Sequence, residues 1–526
     1  MDFEFYREKL NEEPGIEPGK PKTWSAIKSK LVAYRREWLE EAGKDVKNLS
    51  ELAVAIGINK FLHVITLENG KVAIYDPDQG YYIKDYKFAY KLIHILQPTF
   101  NETKCRNVLF MLASMDRKYG AMDFEPEYHD VRRYILVKNG IYDKKNKALL
   151  PFDHQFINFS TIETELIPNA PLPTIDGWDV ESWLLDLMSG DKDLVQLLWQ
   201  VVAASLNGNY SYRKSIWFVG DGNDGKGTFQ QMISNLVGFK NVAPLKLNQF
   251  SERFGLAIIE GKTVIIGDDV QAGIYVDESS NFNSVVTGEP VSIEKKGENP
   301  YMAIFKKTVI QSTNGMPVFK NKSNGTYRRI IIIPFKKTFS SAEDNWAIKD
   351  DYINRKEVLE YVLWKSINLD FDKFYEPKVT QDRMREFKEE NNTILKFLNE
   401  YLEDVESTRL PVRFLWDVYQ SWCTENGVTK PKKSNFEKEL AINLPDGWEK
   451  TKSKPLNYFK PINDKPYYWI DYNFQWDDSK DGKKTAVIVQ KKLLGHRRLP
   501  QPVTVKTVGR VRIKAFGYRV TSISLF

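Results

Sequence analysis

The chain has 526 residues, with 76 Lys+Arg against 70 Asp+Glu and a formal charge of +6. A hydrophobic fraction of 42% with 13% aromatics is enough to build real cores, so wholesale disorder is excluded; the length suits about three or four domains. Pure apolar runs are short, as at Ile330–Ile333, far below the roughly 18 residues that a membrane span needs.

The acidic N-terminus has no apolar leader core, so no secretory signal is expected. Cys105 and Cys423 are too few for a disulfide framework or a four-cysteine zinc site, and a reducing cytoplasm, of a bacterial host, is the expected setting. The charge is uneven. Residues 482–526 carry eleven Lys/Arg and no Asp or Glu, leaving the rest of the chain five charges negative. That basic end (the tail is taken as 476–526) reads as a hand for a polyanion, with a solubilising tail as the plain alternative.

In chain order, residues 14–22 are breaker-rich and precede a charged helix near 24–42. Short paired strands follow around 60–85, so 1–120 reads as a mixed α+β region. Asp76 and Asp78 superficially resemble the acidic motif of archaeo-eukaryotic-type primases, but Asp-Pro followed by Asp-Gln-Gly is turn chemistry joining a hairpin. Residues 121–206 are expected to form a helical domain. It ends in an amphipathic helix over 191–206, where Leu194, Leu197, Leu198, Val201, Val202 and Leu206 fall at helical spacing.

A strand at Ser215–Val219 then leads into Gly220, Asp221, Gly222, Asn223, Asp224, Gly225, Lys226, Gly227 and Thr228, followed by a helical stretch. This is the Gly-x4-Gly-Lys phosphate-binding loop in its strand–loop–helix setting. Glycines let successive backbone N–H groups face one anion, the helix N-terminus adds its dipole, and Lys226 supplies a charge to the β- and γ-phosphates of ATP. The hydroxyl that usually follows the lysine is replaced by Gly227, and Thr228 stands one place later. The same spelling occurs in adenylate kinases, which keeps a small-molecule (nucleoside) kinase as a rival.

Next, an apolar strand from Lys262 ends in Asp268 and Asp269, placing carboxylates where open α/β sheets bind ligands. Asp268, with Thr228 directly or through water, is the candidate Mg²⁺ ligand; Asp269 is the candidate for polarising the attacking water. A further strand, Thr308–Thr313, delivers Asn314 to the γ-phosphate or the lytic water. Arg328 and Arg329 enter the buried strand Ile330–Ile333, a place where an ordinary strand needs no charge. An arginine serving a neighbouring subunit's ATP is one reading, and surface ion pairing is the other.

Lys226, the acid pair and Asn314 lie within 88 residues. Their order resembles the superfamily-three helicases, AAA+ motors of small DNA viruses, phages and plasmids. The chain looks most like the phage and plasmid primase-helicases related to the poxvirus primase-helicase. The matching strings are Gly220–Thr228, Asp268-Asp269, Thr313 to Pro317, and Arg328 to Phe335, and the resemblance covers roughly 60–475. It implies an α/β fold with an AAA+ P-loop core over 207–375, ATP and Mg²⁺ as cofactors, and a ring, in expectation a hexamer, hydrolysing ATP between subunits. It also implies that the predicted hairpin tip carrying Lys295 and Lys296 grips single-stranded DNA in the ring channel, which suits sequence-independent phosphate contacts.

Residues 385–475 show amphipathic helices at Ile394–Leu402 and Val412–Trp422, a third near 434–441 and strand-like residues at 467–470. They suggest a winged helix that presents Lys432, Lys433, Ser434 and Asn435 to duplex DNA. The expected function is an ATP-dependent DNA helicase of a phage or mobile element. A sequence-specific origin-binding initiator is the alternative from another class. A primase is disfavoured, because the N-terminal region is short and lacks a zinc module.

Overall fold

The computed structural model describes residues 20–43, 47–67, 70–115, 130–297, 299–320, 324–340, 345–402, 409–445, 447–452, 487–491, 513–515 and 518–520. Two compact units divide at Gln381/Asp382.

The first unit begins with helices α1 (Trp24–Glu41) and α2 (Glu51–Phe61), started by Thr23 and Ser50, whose side chains accept the N–H groups of Ala26 and Ala53. A three-stranded antiparallel sheet follows, β1 (Val64–Thr66), β2 (Val72–Asp76) and β3 (Tyr81–Ile83), and then α3 (Tyr86–Leu96) and α4 (Glu102–Met115). Asp76 closes the β2–β3 turn: its Oδ1 accepts from Trp24 Nε1 (2.8 Å), Asp78 N (2.9 Å) and Gln79 N (3.1 Å). Those bonds match the turn reading. Cys105 and Cys423 are free and buried.

The stretch expected to be helical begins instead with an antiparallel sheet, β4 (Tyr134–Val137), β5 (Gly140–Asp143) and β6 (Ala148–Leu150). Its strands are too short and too fully apolar to announce themselves by periodicity. Arg133 grips the buried Asp143 with two nitrogens, at 2.7 and 2.5 Å, and holds that carboxyl down at about 2. Helices α5 (Val180–Leu187) and α6 (Lys192–Ser205) follow, capped by Asp179 and Asp191. The predicted apolar face of α6 is buried as expected, from Leu194 to Val202, as is Leu206 beyond its end.

The centre is a five-stranded parallel sheet. Its first strand, β7 (Ser215–Val219), runs through the loop into α7 (Lys226–Val237), after which come β8 (Val242–Ala243) and β9 (Val264–Val270). A short strand β10 (Tyr275–Val276), helix α8 (Ser280–Thr287) and the antiparallel hairpin β11 (Pro290–Ile293) and β12 (Tyr301–Ile304) intervene before β13 (Thr308–Thr313). Strand β14 (Val318–Phe319) pairs with β10, one helical turn α9 (Asn324–Tyr327) follows, and β15 (Ile330–Pro334) completes the sheet. Its order is β15-β7-β13-β9-β8. Strands β7, β13 and β15 are buried along their whole length, as the nearly continuous apolar runs of β7 and β15 require of a sheet covered on both faces; β13 is buried as the strand between β7 and β9 although Gln311, Ser312 and Thr313 are polar. Helices α10 (Trp346–Asp350) and α11 (Lys356–Ile367) close this unit; α11 packs with α6 and α7 on the sheet.

The unit boundary falls inside α12 (Lys378–Asn391). The second unit runs α13 (Thr393–Leu402), β16 (Arg409–Pro411), α14 (Val412–Glu425), α15 (Lys433–Ile442), β17 (Trp448–Lys452) and β18 (Val487–Lys491). Aromatic residues form its core, with Phe397, Tyr419 and Phe436 buried together. Its sheet order is β16-β18-β17, with both pairings antiparallel. The strand expected at 467–470 lies outside the described residues. The middle strand, β18, comes from the basic stretch read as tail; within the rest of that tail a small pair, β19 (Ile513–Ala515) and β20 (Tyr518–Val520), is described.

Candidate nucleotide site

Strand register brings the predicted residues to one edge. Val219 pairs with Thr313 on one side and Pro334 on the other, so Gly220, Asn314 and Phe335 leave the sheet side by side. Gly220 N donates to Thr313 O (3.3 Å) and Phe335 N to Val219 O (2.7 Å). Strand β13 lies between β7 and β9, placing the acid pair two strands, about 10 Å, from the loop strand. Asn314 therefore stands between loop and acids.

The loop owes its course to three left-handed residues, Gly222 (φ 103°), Asn223 (φ 47°) and Gly225 (φ 82°). Within it, Gly222 N (3.3 Å), Lys226 N (3.2 Å) and Lys226 Nζ all donate to the carboxylate of Asp224, which is buried. Lys226 Nζ also donates to Gly220 O (2.9 Å) and to Asn314 Oδ1 (3.4 Å). An internal carboxylate thus occupies a convergence of donors of the kind that a phosphate needs. A Cβ at Gly227 would meet nothing within 4 Å, so the missing hydroxyl there is not a steric matter. Thr228 is half-buried, and among the described residues its hydroxyl has no hydrogen-bond partner.

Asp268 and Asp269 are exposed at the end of the otherwise buried β9. A register shift against β13 lets Ser312 reach both: its Oγ donates to Asp268 Oδ1 (2.6 Å), and Asp269 N approaches it at 3.0 Å. Asp269 takes a left-handed φ of 52°, and Lys246 Nζ donates to its carbonyl oxygen (3.0 Å). Motif reading passed over Ser312, and it took Asp224 as part of the loop without its role as the carboxylate that the loop donors meet. A serine inside an apolar strand was the available signal for the first; nothing local marks the second.

The two arginines lie at the opposite, amino edge of the sheet, where Ser215 N donates to Arg329 O (2.6 Å). They are a strand's length, about 17 Å, from their own chain's loop. Arg329 folds back: its guanidinium donates to Gly325 O, lies 4.0 Å from Glu289, and is drawn below its usual pKa by burial and then by Arg328. Arg328 is exposed and makes no side-chain hydrogen bond or ion pair among the described residues.

The hairpin lysines also part company. Lys295 is bound to Glu260, which Tyr301 also engages; burial opposes the charge, and these bonds outweigh it to raise the lysine's pKa. Lys296 is exposed beside Gly297 (φ 78°) with no such partner among the described residues. In the second unit, Lys432 caps α15, and Lys433, Ser434 and Asn435 follow it, all exposed; Lys433 lies 3.9 Å from Glu437. Among the described residues no group of three or more His, Cys, Asp or Glu could hold a metal, and no helix is long and apolar enough to cross a membrane.

Residues 389–475 match a family profile described as Poxvirus D5 protein-like. Over this segment the chain is similar to the poxvirus D5-like proteins. The relation expected from the motifs is thereby borne out, and the D5-like segment coincides with most of the second unit. A second profile, described as a family of unknown function (DUF5906), matches 218–329, from the end of β7 to Arg329. Among solved structures, the A form apo structure of the NrS-1 C-terminal region aligns at 14% identity over 75% of this chain and 86% of that one, with a TM-score of 0.44. An apo structure of the same region (305–718) aligns at 13% identity, over 73% and 83%, with a TM-score of 0.41.

Proposed function

We propose that this D5-like chain is an ATP-driven DNA helicase of phage or mobile-element replication, working as a ring, in our reading a hexamer with an AAA+ core. The observation that carries the reading is the split arrangement at the two edges of one sheet. Loop, acids and Asn314 share the carboxyl edge, while Arg328, without a side-chain partner among the described residues, sits at the amino edge, out of reach of its own loop. Such a layout suits ATP held between subunits, with the arginine supplied by a neighbour. Asp268, oriented by Ser312, would hold hydrated Mg²⁺ with Thr228 nearby, and the ion would neutralise charge on the β- and γ-phosphates. Asp269 would polarise the lytic water and Asn314 report on the γ-phosphate.

Single-stranded DNA is assigned to the exposed Lys296 at the hairpin tip, with Lys295 bracing the hairpin through Glu260. The helix–strand–helix–helix–strand–strand order of the second unit, with the last strand in the middle of the sheet, supports the winged-helix reading and duplex contact by α15. That exposed basic helix start also favours a second reading, an origin-binding initiator whose ring melts DNA without processive unwinding. No observation favours a nucleoside kinase. Unwinding of forked substrates, with and without a candidate origin, separates the readings. ATP-dependent unwinding of any fork supports the helicase, origin-dependent melting alone supports the initiator, and phosphorylation of a nucleoside without either sinks both.

The Asp224 carboxylate must yield before a phosphate enters the loop. Asp224→Asn is expected to tighten ATP binding about tenfold by weakening that internal competitor. A calorimetric Kd equal to or weaker than that of the unaltered protein would show that the carboxylate does not compete.

A further inference from the structure

A cavity of about 660 Å³ opens in the first unit at the amino edge of the central sheet, away from the phosphate loop. Lys262 lies just before β9 and Lys307 just before β13, and both line it together with Gly208, which precedes β7. The hairpin strand β12 and the residues following β3 form other walls. Six lysines line the cavity against a single acid, Glu260, and that acid is already shared by Lys295 and Tyr301. The remaining wall is apolar and aromatic. Met302 and Ile304 are 58% and 56% exposed on β12, and Phe159 lies with its ring centroid 3.5 Å from Lys84 Nζ.

We propose that this cavity is a binding site for a nucleotide, with Lys84, Lys306 and Lys307 meeting its phosphate and Phe159, Met302 and Ile304 meeting its base. The volume is that of a small-ligand site, and lysine combined with an apolar, aromatic wall is the pairing that a charged group joined to a flat ring requires. The cations are poorly compensated from within. Lys307 Nζ has the carbonyl of Gly208, and Lys84 has no hydrogen-bond or ion-pair partner among the described residues. Burial draws Lys307 down to about 7, and Lys84 opposes its charge further. Burial likewise draws Lys84 down to about 8, a fall that Glu260 offsets only in part and Lys295 deepens. A bound phosphate would supply the missing counter-charge to both. The assignment does not depend on what the phosphate loop hydrolyses, because the two sites occupy opposite edges of the sheet.

The test is calorimetric titration of the full chain carrying Lys226→Ala, using thymidine monophosphate as the probe. Lys306→Gln, at an exposed position, and Lys84→Gln are each expected to weaken binding about tenfold, the loss of one charge-assisted contact. Lys307→Gln is expected to do the same, and a thermal melt identifies it if it unfolds instead. Displacement of the bound probe by an oligothymidylate assigns the site to a nucleotide of a DNA strand; failure to displace it assigns the site to free nucleotide. Absence of probe binding, or equal affinity in the Lys306→Gln and Lys84→Gln proteins, overturns the proposal.

Discussion

Lys226→Ala is expected to lower ATP turnover about a thousandfold, the scale of losing one preorganised charge at a reacting phosphate. The side chain is buried at the meeting point of the loop, Asp224 and Asn314, and among the described residues no other cation bonds there. The substitution also strands Asp224, a buried carboxylate left with two backbone donors, and this alone can distort the loop. The double variant Lys226→Ala/Asp224→Asn separates the two effects. If the lysine acts on the phosphate, steady-state turnover stays lost in the double variant. Recovery of activity there would mean that the stranded carboxylate was the cause, and the assignment of Lys226 would fall.

Arg328→Ala is expected to lose on the order of 10³ in turnover while melting like the unaltered protein, because its side chain is exposed and bonds to nothing described in its own chain. Arg329→Ala is expected to lose stability instead, since its guanidinium is packed against Gly325 and near Glu289. An equal mixture of the inactive Lys226→Ala and Arg328→Ala proteins should recover up to about a quarter of normal turnover. That is the fraction of interfaces at which an intact loop meets an intact arginine. Mixed rings that form, verified by differently tagged subunits, yet recover nothing would show that the arginine does not act in trans.

Motif reading reached the loop, the acids and Asn314 because each terminates an apolar strand, and strand ends are legible from composition alone. It did not reach the order of the strands, which places Asn314 between loop and acids. Order is settled by pairing across long separations, as where β13 lies against both β7 and β9. Adjacent identical residues were equally opaque. Lys295 and Lys296, or Arg328 and Arg329, differ only in which way one more residue turns the side chain, and this decides that Lys295 meets Glu260 while Lys296 meets solvent. Asp224 looked like a loop-forming residue. Its role as a stand-in anion arises from the left-handed turns around it, which fold the carboxylate back over the donors. The sheet over 134–150 escaped for a different reason, since strands of three or four residues are too short to show a period.

The position of β18 bears on how the protein is made. Among the described residues, strands β16 and β17 do not pair with each other; each finds its neighbour in residues 487–491. During synthesis, the pairing that joins them waits until residue 491 has cleared the ribosome, long after α13, α14 and α15 have emerged. A chain terminated anywhere between 453 and 486 therefore lacks the strand that joins β16 to β17. Such a product calls for a chaperone, or recruits the same strand from a complete copy.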